Sequence, residues 1–464
     1  MKHLSRVVGL GIGLWLCAVS VQADGGELDV VGPDVIVGDL HETKHWGANG
    51  GNTIHAYSVG TVACNIGDTP LLWQSWSNQR PVIGQNMFRL KAGRFEQLGQ
   101  SWLKWAFTSL NQSFCETCVQ PGSSSLLGAH CSDPYSANLN GSQSNLGPKY
   151  IVNPFTGYFP NSHGSPGSGT INGRLQVQTP DIDPNLNAGA LYFVEGQYVS
   201  PDDAAAGNLY NNASYRQVWV QSNLNLTFTN PQGGSSATER KKPAIEVWKA
   251  LDPNVGLQIF NAPSDGRLYL AAKSTPVGDG SWHYELALHN VTSDRAVGGL
   301  TVFLPAGVNP TSLSFHDVDY HSGEPYSGTD WPGTVTAAGV HWETTSYATD
   351  PNANALRWGT LYNFRFDAAV APTFVTQAEL TLFKPGTPTT MTVTIDQGPY
   401  ALGDVNCDGL VDFDDINSFV EALSDPAAWQ AAHPSCPLEN ADTNGDTVVD
   451  FDDVNAFVAL LSGG

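Results

Sequence analysis

The sequence predicts a mainly β chain: two β-rich modules, the second an antiparallel β-sandwich of about immunoglobulin-like size, followed by a small α-helical module at the C-terminus. Three observations carry this. Gly (48) and Pro (29) are abundant over a 464-residue chain, and turn-formers at that density punctuate short strands. Apolar residues alternate at period two in Trp282/Tyr284/Leu286/Leu288, Tyr362/Phe364/Phe366, Ala378/Leu380/Leu382 and Met391/Val393/Ile395, as strands with one buried face require. Helical spacing is sustained only near the C-terminus, at Ile416/Phe419/Val420/Leu423 and Val454/Phe457/Val458/Leu461.

Residues 1–23 read as a signal peptide. Lys2 and Arg6 precede an apolar run from Val7 to Val19, and Val21-Gln22-Ala23 ends it. The run is shorter than a membrane span. The reading is an exported, secreted chain, extracellular or held at a cell surface, with no membrane span. The net charge of −23 argues against nucleic acid as a partner. Six of the seven cysteines lie beyond the signal, and export favours disulfides. Cys407 and Cys436 are expected to pair, with two more bridges among Cys64, Cys115, Cys118 and Cys131.

Residues 24–235 form the first β-rich module. Strands are expected at 35–37, 54–64, 190–199 and 218–228. The stretch Phe95–Leu110 is the one candidate helix, with Leu98, Trp102, Trp105 and Ala106 on one face. From Ser113 to Gly173 a Ser/Gly/Asn/Pro-rich excursion follows, pinned by cysteines. A breaker-rich linker at 230–243 leads to the β-sandwich, 236–398, and residues 399–464 make the last module.

That last module carries the strongest motif. Asp404, Asn406, Asp408, Asp412 and Asp415 place side-chain oxygens at positions 1, 3, 5, 9 and 12 of a twelve-residue loop, with the Leu410 carbonyl at position 7. Asp442, Asn444, Asp446, Asp450 and Asp453, with the Val448 carbonyl, repeat the pattern 38 residues on. This spacing wraps hard oxygen donors around one point, which suits calcium, one ion per loop. Each loop runs into a short amphipathic helix, and no helix enters the first loop. Residues 403–461 thus resemble the type I dockerin, a duplicated calcium-folded module. The resemblance implies two calcium ions and docking to a cohesin-like partner. Two departures stand out. Position 6 is Gly409 in the first loop but Thr447 in the second, which predicts a weaker or strained second site. Members of the family use small hydroxyl residues for cohesin recognition where this chain has Phe413-Asp414 and Phe451-Asp452.

Other clusters carry weaker signals. His41-Glu42-Thr43-Lys44-His45 matches a zinc-protease pattern, but the Gly/Asn-rich stretch after it reads as a loop; His55 would complete a surface metal site. Cys115-Glu116-Thr117-Cys118 with His130-Cys131 has zinc-ligand types, though disulfides fit an exported chain better. His316-Asp317-Val318-Asp319-Tyr320-His321 would put Asp317, Asp319 and His321 on one strand face. Glu195, Asp202 and Asp203 are candidate catalytic carboxylates. Trp73/Trp76 and Trp102/Trp105 are candidate sugar platforms or core residues. Two functions follow: a non-catalytic β protein that binds polysaccharide, surface or matrix and docks by its C-terminus, or a carbohydrate-active hydrolase with its site in 24–235. Nothing in the sequence names a catalytic residue outright.

Overall fold

The computed structural model describes residues 30–278, 280–434 and 436–462. The signal-peptide reading at 1–23 falls outside the described residues. The chain is mainly β, in several antiparallel sheets.

The first unit holds two main sheets. In one, Val35–Ala48 and Ile54–Asn65 form a long antiparallel hairpin, with Leu175–Gln178 and Ser132–Tyr135 paired to the second of these strands. The side chain of Asn49 closes the hairpin by accepting from the N–H groups of Thr53 and Ile54. The other sheet centres on Val82–Lys91 and Leu191–Val199, antiparallel to each other, with Ala213–Val220 on the far side of the latter. Val37, Leu40, Tyr57, Val59, Met87, Val194 and Tyr198 fill the space between the two sheets.

The second unit has two five-stranded antiparallel sheets. Ser281–Asn290 and Thr360–Ala368 lie centrally in one, Val297–Phe303 and Gln377–Leu382 in the other. Their facing side chains, among them Leu270, Leu286, Leu288, Leu300, Val302, Phe364 and Leu380, make one core.

The two units are fused. Neighbouring residues on one strand point to opposite faces, and here both faces are buried. Met87 and Val194 enter the first core, while Phe88 and Phe193 join Phe95, Trp248, Tyr269, Ala271, Ala287 and Leu361 in an apolar seam between the units. Polar groups cross the seam as well. Arg365 pairs with Glu96 at 2.6 Å and with Glu285 at 2.7 Å, and Glu96 also pairs with Arg89 at 2.9 Å.

Several sequence expectations are corrected here. Phe95–Leu110 is not helical: Arg94–Gln100 and Leu103–Trp105 are strands. A Cβ on Gly99 would lie 1.8 Å from the Gln176 carbonyl oxygen, so Gly99 permits a close strand approach rather than weakening a helix. The alternation over 218–228 is interrupted by a turn at Gln221–Asn225, with Leu224 at φ +62°, and Leu226–Thr227 folds back on Ala213–Val220. The linker at 230–243 is not free. Thr238–Glu239 pairs with Tyr215 and Arg216, and Ala244 and Ile245 enter the seam.

The C-terminal residues form helices Asp415–Ser424, Pro426–Ala432 and Val454–Leu461 around Val405, Phe419, Trp429, Cys436 and Phe457. The Phe419 and Phe457 rings stack at 3.9 Å. The expected inward faces divide: Phe419 and Phe457 are buried, but Ile416, Val420 and Val458 are exposed. The helices are short and one ring stack fills the space between them. This small unit rests on the two-sheet unit through Trp282 against Tyr400 and through Gly445, where a Cβ would lie 2.6 Å from the Phe374 ring.

Six cysteines pair as Cys64–Cys115, Cys118–Cys131 and Cys407–Cys436. Among the described residues, no helix is long and apolar enough to cross a membrane.

Candidate metal-binding loops

Both acidic loops have the same internal wiring. In the first, the Asp404 carboxylate accepts from the N–H groups of Asp408 and Gly409, Asn406 Oδ1 from Asp408, Asp408 Oδ1 from Leu410, and Asp412 Oδ1 from Asp414. Asp415, at the start of its helix, reaches back: Oδ1 accepts from Val405 and Asn406, and Oδ2 from Asp412. In the second loop, Asp442 accepts from Gly445 and Thr447, Asn444 from Asp446, Asp446 from Val448, and Asp450 from Asp452. Asp453 reaches back to Asn444 and Asp450.

These bonds curl each loop so that its acids crowd together. Asp404 is pushed up from its ordinary carboxylate value by burial and by the neighbouring Asp415 and Asp408; Asp442 is pushed up by burial, Asp453 and Asp446. Residues 401–464 contain thirteen acids and no Lys or Arg, so no side-chain cation of this segment relieves the repulsion. Among the described residues, no three His, Cys, Asp or Glu side chains stand close enough to hold a metal ion; the loop carboxylates face backbone N–H groups instead. The donor types nonetheless suit a hard cation: carboxylate, amide and carbonyl oxygens on a preshaped turn. Position 6 is left-handed in both loops, at φ +89° for Gly409 and +75° for Thr447. The second loop therefore holds a β-branched residue where glycine carries no penalty.

The outer side of this unit is apolar. Phe413 and Phe451 are 74% and 78% exposed, with Val420 and Val458 exposed beside the two helices.

The other candidates are placed as follows. His41 and His45 lie on a strand, not a helix, so they stand about 13 Å apart along it. His45 Nε2 meets His55 Nδ1 at 2.9 Å, Nδ1 meets Asn225 Oδ1 at 3.0 Å, and the ring stacks on Tyr57. His41 instead lies beside Gly60, so the imidazoles do not converge as the sequence allowed. Cys118 and Cys131 are bonded to each other, which removes the zinc reading of that cluster; His130 pairs with Glu116 at 2.8 Å. The strand carrying His316 ends there, so Asp317, Asp319 and His321 do not share a face. Asp317 accepts from Asn354, Asp319 from Gln178, and His321 contacts the Arg174 and Ser322 carbonyls.

The candidate carboxylates of the first unit are structural. Glu195 is buried and accepts from Asn86 Nδ2 at 2.8 Å and the Ala244 N–H at 2.7 Å. Asp202 accepts from the Leu72 N–H and Ser200 Oγ. Asp203 accepts from the Val35 N–H at 2.9 Å and Asn212 Nδ2 at 2.8 Å, and burial pushes its carboxyl up to about 8. Of the paired tryptophans, Trp73, Trp102 and Trp105 are core residues, and Trp76 is 77% exposed with a left-handed backbone at φ +61°.

No family model matches the chain, and no curated protein matches it. Among solved structures, the B domain of a biofilm-associated protein aligns over 91% of this chain and 94% of its own at 11% identity, with a TM-score of 0.14. A likeness that small says nothing of fold or function.

Proposed function

We propose that this is an exported docking protein: residues 399–464 act as a dockerin-like module that binds two calcium ions and a cohesin-like partner, and the fused β units it carries serve as a non-catalytic polysaccharide-, surface- or matrix-binding body. The observation that carries the reading is the duplicated loop, with the same backbone wiring twice and like-charged acids crowded in each. Asp404, Asn406, Asp408, the Leu410 carbonyl, Asp412 and Asp415 would hold one ion. Asp442, Asn444, Asp446, the Val448 carbonyl, Asp450 and Asp453 would hold the other. The ion's charge would offset the repulsion, so binding free energy adds to folding free energy. The exposed Phe413 and Phe451 offer the apolar anchors a protein partner buries. The three disulfides fit an oxidising compartment.

Metal content after equilibrium dialysis tests this on the full chain. Two calcium ions per chain are expected, falling to one in Asp415→Ala and one in Asp453→Ala. A calcium-loaded wild type that retains no ion would overturn the reading.

A further inference from the structure

Beside the apolar seam, the two β units leave a cleft of about 260 Å³ between Gln176 and Gln178 on one side and Asp319, Ser322 and Tyr326 on the other. Through Gln100 and Tyr320 it continues into a recess that holds Lys149, Glu324 and Arg357.

Three features define what it can hold. First, its cations are engaged. Arg357 Nη2 donates to the Pro351 and Ala353 carbonyls and lies 3.5 Å over the Tyr326 ring. Lys384 pairs with Asp294 at 2.8 Å, and Lys149 Nζ donates to Gln100 Oε1 at 2.9 Å. An anionic ligand would find no spare counter-charge. Second, Glu324 Oε1 is buried and accepts from no group among the described residues, which leaves it short of a donor. Burial raises the Glu324 carboxyl and lowers the Lys149 ammonium, and their mutual attraction opposes both shifts. Third, the walls alternate polar side chains with rings. Gln176 donates to Ser322 Oγ, Gln178 to Asp319 Oδ2, and Tyr150 meets Tyr326 edge-on at 6.3 Å. Polar groups that fix orientation among aromatic faces, at a boundary between units, characterise a small-molecule site.

We propose that this cleft binds a neutral sugar unit, with Glu324 accepting a hydrogen bond from a sugar hydroxyl and the tyrosine rings packing against its C–H surface. The lack of spare charge selects a neutral ligand, the orphaned carboxyl oxygen selects a hydroxyl donor, and the rings suit a pyranose face. This rests on the reading of the β units as a polysaccharide-binding body, and is independent of the calcium loops.

Isothermal titration of the full-length protein with cellobiose, maltose, xylobiose and mannobiose, in calcium and again in chelator, is the test. At least one neutral disaccharide is expected to bind with a millimolar or tighter Kd in both buffers. Its Kd should weaken tenfold or more in Glu324→Gln and in the rim variant Gln178→Ala, which keeps the assay interpretable if the buried substitution fails to fold. Trp76→Ala should change it less than twofold. The proposal is overturned if none of the four binds, if Trp76→Ala abolishes binding while Gln178→Ala leaves it, or if a uronic-acid disaccharide binds more tightly than every neutral probe. Loss of the calcium stoichiometry alone would sink the docking function and leave this site standing.

Discussion

Asp203 shows how one side chain sets a pH dependence. Its carboxyl is buried, satisfies the Val35 N–H and Asn212, and is held up to about 8 by desolvation. The unfolded chain would ionise it near 4. Between about pH 4 and about pH 8 the folded state therefore carries a proton that the unfolded state has released, so stability falls as pH rises through that window and levels off above it. Asp203→Asn keeps the shape of the protonated acid and cannot ionise. Relative to the wild type, this variant should gain stability as pH goes from 4.5 to 8, by up to about 1.4 kcal/mol per pH unit. Urea midpoints at pH 4.5, 6 and 8 check it. A wild-type-to-variant difference that does not move with pH would show that the carboxyl ionises normally.

At the scale of elements, the two acidic loops form a natural comparison, since they share wiring and differ at position 6. Thr447 adopts a left-handed backbone that a β-branched residue reaches at a cost of about 1–2 kcal/mol, whereas Gly409 adopts it freely. Thr447→Gly should tighten calcium binding at the second loop several-fold, and Gly409→Thr should weaken the first by a similar factor, both read by calcium titration. If both substitutions leave the affinities unchanged, backbone strain is not what separates the loops. Such loops were legible in the sequence because every donor sits at a fixed local offset. The strands marked by Leu286/Leu288 and Phe364/Phe366 were legible for the same reason, since alternation is a local property of a face. The stretch from Phe95 to Leu110 was not. The i, i+3 spacing of Trp102 and Trp105 mimics a helix turn, and it arises because the chain leaves one strand at Gln100 and enters another at Leu103. What Gly99 permits depends on the Gln176 backbone, far along the chain, and no local pattern reports it.

At the scale of the whole molecule, the seam decides how the protein behaves, and it was the least legible feature. Its faces mix Phe88, Phe95 and Tyr269 with Glu96, Glu285 and Arg365, so in the sequence they look like solvent-facing positions of half-buried strands. The same mixture makes the seam testable. Arg365 bridges a carboxylate from each unit in a buried site, and removing one partner of such a network leaves uncompensated charge at a cost of about 3–5 kcal/mol. The apolar contacts around it bind the two units tightly enough that they should melt together. Scanning calorimetry of the wild type should show one transition for residues 30–398, apart from any transition of the C-terminal helices. Arg365→Ala should lower its midpoint by several degrees. The triple variant Arg365→Ala/Glu96→Gln/Glu285→Gln should recover part of the loss, because it removes the stranded charges as well as the bridge. Two separate β transitions in the wild type would mean that the units fold independently and that the seam is only a contact. An Arg365→Ala variant as stable as the wild type would mean that the carboxylates find water or one another's protons, and that the network contributes nothing to joining the units.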